Sequence, residues 1–177
     1  MRIGMGLNYS GGFAETVAEV ADLERAGLDI VFVPEAYSFD AVSQIGYIAA
    51  KTSRVELASG IFQLYTRTPT LTAMTAAGLD YVSDGRFVMG IGASGPQVIE
   101  GFHGVPYDAP LGRTREIIEI CRKVWRREKV EYQASTTSFR CPKKRVPASV
   151  SRSSSSISLC ANGSRWSSRR SGRRMSS

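Results

Sequence analysis

The chain has 177 residues and a formal net charge of +7. The charge is uneven: residues 1–133 hold all 16 acidic side chains and 13 basic ones, whereas residues 134–177 hold ten basic side chains and no acidic one. A basic protein usually binds nucleic acid or an anionic surface, but the acidic excess over residues 1–133 argues against such a role for that part of the chain.

Strand-like and helix-like segments alternate four times along residues 1–133. Gly27 is a typical helix stop, and Thr68 followed by Pro69 is a typical helix start. The last helix has an apolar stripe of Ile117, Ile118, Cys121, Val124 and Trp125. In chain order the segments are RIGMGL, FAETVAEVADLERAG, DIVFVP, FDAVSQIGYIAAKT, RVELASGIF, TPTLTAMTAAGLDYVS, GRFVMGIG and LGRTREIIEICRKVWRRE.

This alternation predicts β/α units that form a parallel sheet with right-handed crossovers. The continuously apolar strands predict that both sheet faces are covered. Two architectures fit the pattern, a doubly wound sheet and a (β/α)8 barrel. Both place their chemistry at the carboxyl ends of the strands, which here read NYS at 8–10, PEAY at 34–37, SGIF at 59–62 and GIGASG at 90–95.

Few residues at these strand ends suggest chemistry on their own. The turn GIGASGP lets a ligand approach the backbone closely and can bind phosphate, although a plain strand-to-helix turn has the same pattern. Glu35 ends an apolar strand. Its carboxylate is either a group that transfers a proton or a solvent-facing acid in a loop. His103 is the only histidine and is more often structural in such a loop. Arg86, in SDGRF, is expected to anchor a turn.

Other function classes find little support. The three cysteines, Cys121, Cys141 and Cys160, are odd in number and lack metal-ligand spacing, so we predict neither disulfides nor a metal site. The apolar start of the chain stops at Asn8, which is too short for a signal peptide or a membrane span. We therefore expect a cytoplasmic protein.

The segments SDGRFVMGIGASGPQVIEGFHG and PLGRTREIIEI, within a similarity that runs from Arg2 to about Gln133, closely resemble the luciferase-like monooxygenase superfamily. The nearest branch is the coenzyme F420-dependent oxidoreductases similar to methylenetetrahydromethanopterin reductase. The resemblance implies the N-terminal half of a (β/α)8 barrel, a homodimer in the intact family, and a flavin or deazaflavin across the carboxyl ends of the strands.

The resemblance also implies site residues. A cis peptide at Gly60-Ile61 would support the deazaflavin ring, and Gly92, Ala93, Ser94 and Gly95 would contact the cofactor phosphate. Glu35, Ala36 and Tyr37 would border the ring and the substrate. This chain has Glu35-Ala36 where some sugar-phosphate dehydrogenases of the family have Asp-His, so the residue that donates a proton stays unassigned.

The implied reaction is hydride transfer between coenzyme F420 and a small organic substrate. Within the family, the alternative is an FMN-dependent monooxygenase that acts on paired donors with O2. Outside it, the alternative is a non-enzymatic truncated product with a basic binding tail.

Residues 134–177 do not continue the barrel pattern. A (β/α)8 barrel needs about 250 residues, and residues 1–133 supply half of its β/α units. If one base is lost near the Gln133/Ala134 junction, permitted codons in the other frame include a family-like strand, IPMVLAAIG. We therefore predict that residues 134–177 are a frameshifted, non-native and disordered tail, and that this chain is inactive.

Two other interpretations of the tail remain. It is either a genuine disordered basic segment or an arm that binds nucleic acid phosphates. The second is disfavoured because Phe139 and Trp166 are its only aromatic residues for base stacking. We expect neither a nucleic acid nor a membrane partner.

Overall fold

The computed structural model describes residues 1–8, 11–133 and 138–140. The strands are β1 (Gly4–Gly6), β2 (Ile30–Val33), β3 (Glu56–Ser59), β4 (Phe62–Gln63), β5 (Phe87–Val88), β6 (Ile91–Gly92), β7 (Glu131–Gln133) and β8 (Ser138–Arg140). The helices are α1 (Phe13–Ala26), α2 (Ala41–Lys51), α3 (Pro69–Val82), α4 (Pro110–Trp125) and a π-helix, Gln97–Phe102.

The order of the strands decides between the two predicted architectures. The main sheet is parallel with the order β1-β2-β3-β5, and β4 pairs with β6 in a second parallel ladder. A doubly wound sheet reverses its strand order at a switch point, whereas the wall of a barrel keeps the chain order. The sequential order is therefore that of a barrel wall.

Helices cover one face of this sheet. Val31, Val33 and Leu57 are fully buried among helix residues such as Val20 and Ile48. The prediction that both faces are covered is wrong for the described residues, because Phe32 is 42% exposed and Val88 is 39% exposed. In a barrel these inward side chains pack against strands across the centre, and four strands do not close around that centre.

Two of the four predicted strands are each divided in two. The predicted strand RVELASGIF is interrupted at residues 60–61, between β3 and β4, and GRFVMGIG is interrupted at residues 89–90, between β5 and β6. Each break overlaps a predicted strand end, 59–62 or 90–95, so the regular strand pairing is interrupted where ligands are expected.

Helix α4 packs on α3 with a stripe slightly different from the predicted one. Ile117 and Cys121 are buried as expected, but Ile120 is buried in place of Ile118. Trp125 remains 42% exposed, and its indole N–H donates to the carbonyl of Ala73 at 3.0 Å. Burial raises the pKa of the Cys121 thiol to about 11, so this cysteine is protonated at neutral pH.

Most of the predicted tail lies outside the described residues. Its three described residues, Ser138–Arg140, form strand β8, which runs antiparallel to β7 (Glu131–Gln133). No helix in the described ranges is long and apolar enough to span a bilayer.

Candidate functional site at the carboxyl ends of the strands

The predicted ring support and the predicted phosphate turn are neighbours in the structure. Strands β4 and β6 pair Gln63 with Gly92. A methyl group on Gly92 would lie 2.6 Å from Cδ1 of Ile61, so the Ile61 side chain packs directly on the start of the turn. The Gly60-Ile61 peptide is cis, as the resemblance implies.

The glycine turn, residues 92–95, has the geometry of an anion site. Ser94 has a φ of 59°, in the left-handed region. Among the described residues, the backbone N–H groups of Ala93, Ser94 and Gly95 have no hydrogen-bond partner. Successive free N–H groups around a left-handed residue form a concavity that binds phosphate. The turn therefore fits the phosphate-bearing part of a flavin or deazaflavin cofactor.

Glu35 is connected to this turn through Gln63 and forms a largely buried ion pair with Arg67. The Arg67 guanidinium donates to both carboxylate oxygens, with N–O distances of 2.5 and 2.9 Å, and the two side chains are only 12% and 11% exposed. The N–H of Ala41, the first residue of α2, donates to Oε2 of Glu35 at 3.0 Å. This pairing favours a positioning role for Glu35 over proton transfer.

Gln63 joins Glu35 to the glycine turn. Its Nε2 donates to the Glu35 carbonyl at 3.0 Å, while its backbone pairs with Gly92. Its Oε1 is buried and has no partner among the described residues. Arg67 stacks over the Phe62 ring, 4.6 Å from the ring centroid. One contiguous network therefore joins the ends of β2, β4 and β6.

The other predicted residues are more exposed. Ala36 is exposed, and Tyr37 is 60% exposed with its ring edge-to-face on Phe102, at 5.6 Å between centroids. Phe102 ends the π-helix that follows the glycine turn, so the Tyr37 ring contacts the element that continues from the turn. His103 is exposed and also contacts Phe102, at 4.9 Å between ring centroids.

The sequence alone does not single out three residues of this region: Gln63, Arg67 and Tyr107, whose hydroxyl donates to the Ser94 carbonyl. Gln63 was detectable, because it is a polar residue in an otherwise apolar strand end. Arg67 lies in an ordinary loop and Tyr107 in the loop before α4, so neither has a local signal. In the described part of the chain, no group of His, Cys, Asp or Glu side chains is arranged to hold a metal ion.

Position 90 has no room for a side chain, because the end of β3 lies against the residue that precedes β6. A methyl group there would lie 2.1 Å from the Ser59 carbonyl oxygen, and the Ser59 hydroxyl both donates to the Gly90 carbonyl at 2.8 Å and accepts from its N–H at 3.0 Å. We expect Gly90→Ala to lower the free energy of unfolding by about 2 kcal/mol through overpacking, measured by urea denaturation.

The matched control for this change is Gly78→Ala. Gly78 lies within α3, and a methyl group there meets nothing within 4 Å. Alanine has a higher helix propensity than glycine, so this variant should gain up to about 1 kcal/mol. Equal stability of Gly90→Ala and the wild type would show that β3 and β6 do not approach so closely.

Comparison with known proteins connects this arrangement to one family. A putative coenzyme F420-dependent oxidoreductase of Mycobacterium tuberculosis is 45% identical over 133 residues, which cover 72% of this chain and 38% of that protein. The chain thus spans well under half the length of this relative.

Solved structures share the fold. The F420-dependent tetrahydromethanopterin reductase of Methanopyrus kandleri superposes with a TM-score of 0.70 at 22% identity, covering 78% of this chain and 44% of that one. The oxygenating constituent of 3,6-diketocamphane monooxygenase of Pseudomonas putida, solved in complex with FMN, superposes with a TM-score of 0.69 at 20% identity. The superposition covers 81% of this chain and 45% of that one.

These superpositions confirm the predicted barrel class, of which the described strands form one part. The family model described as luciferase-like monooxygenase matches residues 1–174, and so extends past Gln133 into the Ser- and Arg-rich segment. The chain belongs to the luciferase-like monooxygenase family.

Proposed function

We propose that residues 1–133 are the N-terminal part of an F420-dependent oxidoreductase that transfers a hydride between the deazaflavin and a small organic substrate. The observation that carries the proposal is the glycine turn, residues 92–95, at the end of a parallel strand. Three successive N–H groups of this turn have no partner within the described part of the chain. The 45% identical relative, whose name specifies coenzyme F420, supports this cofactor.

Each part of the site has one task in this proposal. The N–H groups of Ala93, Ser94 and Gly95 bind the cofactor phosphate, while Gly60 and Ile61 border the ring. When bound, the cofactor supplies the hydride chemistry, and the protein binds and orients the reactants. Glu35 fixes the end of β2 through Arg67, which presents the exposed Ala36 and Tyr37 to the substrate.

FMN is the second candidate cofactor, and the enzyme would then be a monooxygenase. The specific observation in its favour is again the turn, because FMN also ends in a phosphate and a backbone concavity does not distinguish the two molecules. An FMN-bound monooxygenase also shares the fold. Direct competition between the two cofactors decides between the candidates.

We also propose that the 177 residues on their own do not catalyse the reaction. In the described part of the chain, the parallel sheet ends at β1 and β5, each with one neighbour. The inward side chains Phe32 and Val88 are substantially exposed. Water then has access to the face on which a barrel normally buries its centre. Among the described residues, the parallel strands do not close around that centre.

The test compares this chain with the longer protein that is encoded when the frame is restored after Gln133. We expect the longer protein to quench F420 fluorescence at micromolar concentration and to bind FMN at least tenfold more weakly. The 177-residue chain should bind F420 at least a hundredfold more weakly and show no turnover. Preferential binding of FMN supports the monooxygenase, and tight F420 binding by the 177-residue chain contradicts its proposed inactivity.

The proposed frame change has its own measurement, which is sequencing of the gene across the Gln133 codon together with the downstream frame. A restored base, or a second frame that encodes further barrel strands, supports the frameshift. A second frame without barrel-like strands contradicts it, and residues 134–177 then require a function of their own.

A further inference from the structure

One side chain from a distant loop contacts the middle of the glycine turn, residues 92–95. The turn is fixed at its start by the Leu64 N–H, which donates to the Gly92 carbonyl at 3.0 Å. It is fixed at its end by the N–H groups of Val98 and Ile99, which donate to the Gly95 carbonyl, both at 3.0 Å. Between these points, the Tyr107 hydroxyl donates to the Ser94 carbonyl at 3.3 Å.

This contact determines the direction of a neighbouring N–H group. The Ser94 carbonyl and the Gly95 N–H belong to one planar trans peptide, so they point in opposite directions. When Tyr107 holds the carbonyl on one side of the turn, the Gly95 N–H is held on the other side. The hydroxyl therefore orients a donor of the anion site without touching the anion.

Tyr107 is itself held firmly. Its ring packs on Tyr65 with 5.1 Å between centroids, and its backbone N–H donates to Oε1 of Glu100 at 2.9 Å. The Tyr65 hydroxyl donates to the Asp108 carbonyl at 2.6 Å. Burial raises the pKa of Tyr65, so this hydroxyl stays protonated and remains a donor. The loop before α4 is thus attached to Tyr65, which follows β4, and to Glu100 in the π-helix.

We propose that Tyr107 is a positioning residue that holds the glycine turn, residues 92–95, in its anion-binding conformation. The proposal rests on the proposed function, in which this turn binds the cofactor phosphate. It adds a residue that lies outside the turn and comes from the loop before α4.

The variant Tyr107→Phe removes the hydroxyl and keeps the ring on Tyr65. Isotope-labelled 177-residue protein is titrated with inorganic phosphate while the amide signals of Ala93, Ser94 and Gly95 are followed by NMR. We expect the variant to shift the Gly95 amide signal before any ligand is added, and to raise the dissociation constant for phosphate about threefold to tenfold, because one hydrogen bond no longer orients the donor. The melting temperature should stay close to that of the wild type.

The matched control is Tyr81→Phe in the last turn of α3, where the ring is 74% exposed; it should leave the phosphate affinity unchanged. Equal phosphate affinity in Tyr107→Phe and the wild type overturns the proposal. So does a wild type whose turn amides do not respond to phosphate, or a variant whose weaker binding accompanies an equal loss of stability and signal changes throughout the domain. If phosphate binds as expected but the frame-restored protein binds neither F420 nor FMN, the proposed function fails and the role of Tyr107 stands.

Discussion

Replacing Glu35 with glutamine should lower the free energy of unfolding by about 3 kcal/mol, the usual cost of removing one partner of a buried ion pair. The Arg67 guanidinium is 12% exposed, and both of its terminal nitrogens donate to the Glu35 carboxylate. A neutral amide presents an N–H₂ group where Arg67 needs an acceptor. The positive charge then remains in a poorly hydrated position without its counter-charge.

The comparison variant is Glu56→Gln, which removes a carboxylate from the exposed pair between Arg2 and Glu56. Those side chains are 63% and 38% exposed, so water replaces the lost partner and the effect should stay below about 1 kcal/mol. A double-mutant cycle with Arg67→Met isolates the pair: the double variant of Glu35 and Arg67 should be more stable than Glu35→Gln alone, since it leaves no unpaired charge. Equal losses at Glu35 and Glu56 would show that the pair is effectively solvated.

The same variant also separates two roles for Glu35. If Glu35 only positions the end of β2, Glu35→Gln in the frame-restored protein lowers turnover without changing the shape of its pH profile. If Glu35 transfers a proton, the variant removes one limb of that profile. The contacts of Glu35 with Arg67 and Ala41 occupy both carboxylate oxygens, so we expect the first result.

Local signals in the sequence were sufficient for helices α1 to α4, the end of α1 and the start of α3, but not for the π-helix Gln97–Phe102. Gly27 caps α1 with a φ of 111°, and the Thr68 hydroxyl accepts from the Leu71 N–H at the start of α3, at 3.3 Å. Arg86 anchors its turn as predicted, through Nε to the Ser83 carbonyl at 2.8 Å. These features depend on residues within a few positions of each other, where residue type restricts backbone conformation directly.

The contacts across the site could not be predicted in the same way. The partners Glu35 and Arg67 are separated by 32 positions, and nothing in either local segment specifies the other. The choice between barrel and doubly wound sheet was open for a similar reason, because both have the same alternation of strands and helices and differ only in strand order. The exposure of Phe32 was missed because an apolar strand indicates burial without specifying what covers it.

The loop between α2 and β3 depends on two charged side chains from elsewhere in the chain. The Glu24 carboxylate accepts from the backbone N–H groups of Ser53, Arg54 and Val55, at 3.0, 2.5 and 2.7 Å to Oε1. Arg86 donates to the carbonyl oxygens of Ala49, Thr52 and Val55, at 3.0, 3.1 and 2.9 Å. Glu24 thus accepts from the backbone N–H groups of this loop, and Arg86 donates to its backbone carbonyl groups. In a helix or a sheet, other backbone groups would make these hydrogen bonds.

Glu24 lies in the last turn of α1, where a negative charge opposes the helix dipole. Glu24 occupies this position because its carboxylate accepts from three N–H groups of the loop. Glu24→Ala should therefore lower the free energy of unfolding by about 3 kcal/mol at pH 7, because these N–H groups lose a charged acceptor. The control Glu19→Ala, on the exposed side of the same helix, should change stability by less than about 0.5 kcal/mol. Urea denaturation of the three proteins measures both effects.

The effect of Glu24→Ala should also depend on pH. Burial alone would raise the pKa of Glu24, but the N–H groups of Val55, Arg54 and Ser53 and the charge of Arg86 outweigh it, so the pKa is lowered. A carboxyl group with a lowered pKa in the folded state stabilises the protein fully above its unfolded pKa of about 4.3, and this contribution is lost as the pH falls through the folded pKa. The stability difference between the wild type and Glu24→Ala should thus be constant from pH 7 to about 5 and become smaller towards pH 3. A difference that stays the same over this whole range would mean that the loop needs the volume of the side chain and not its charge.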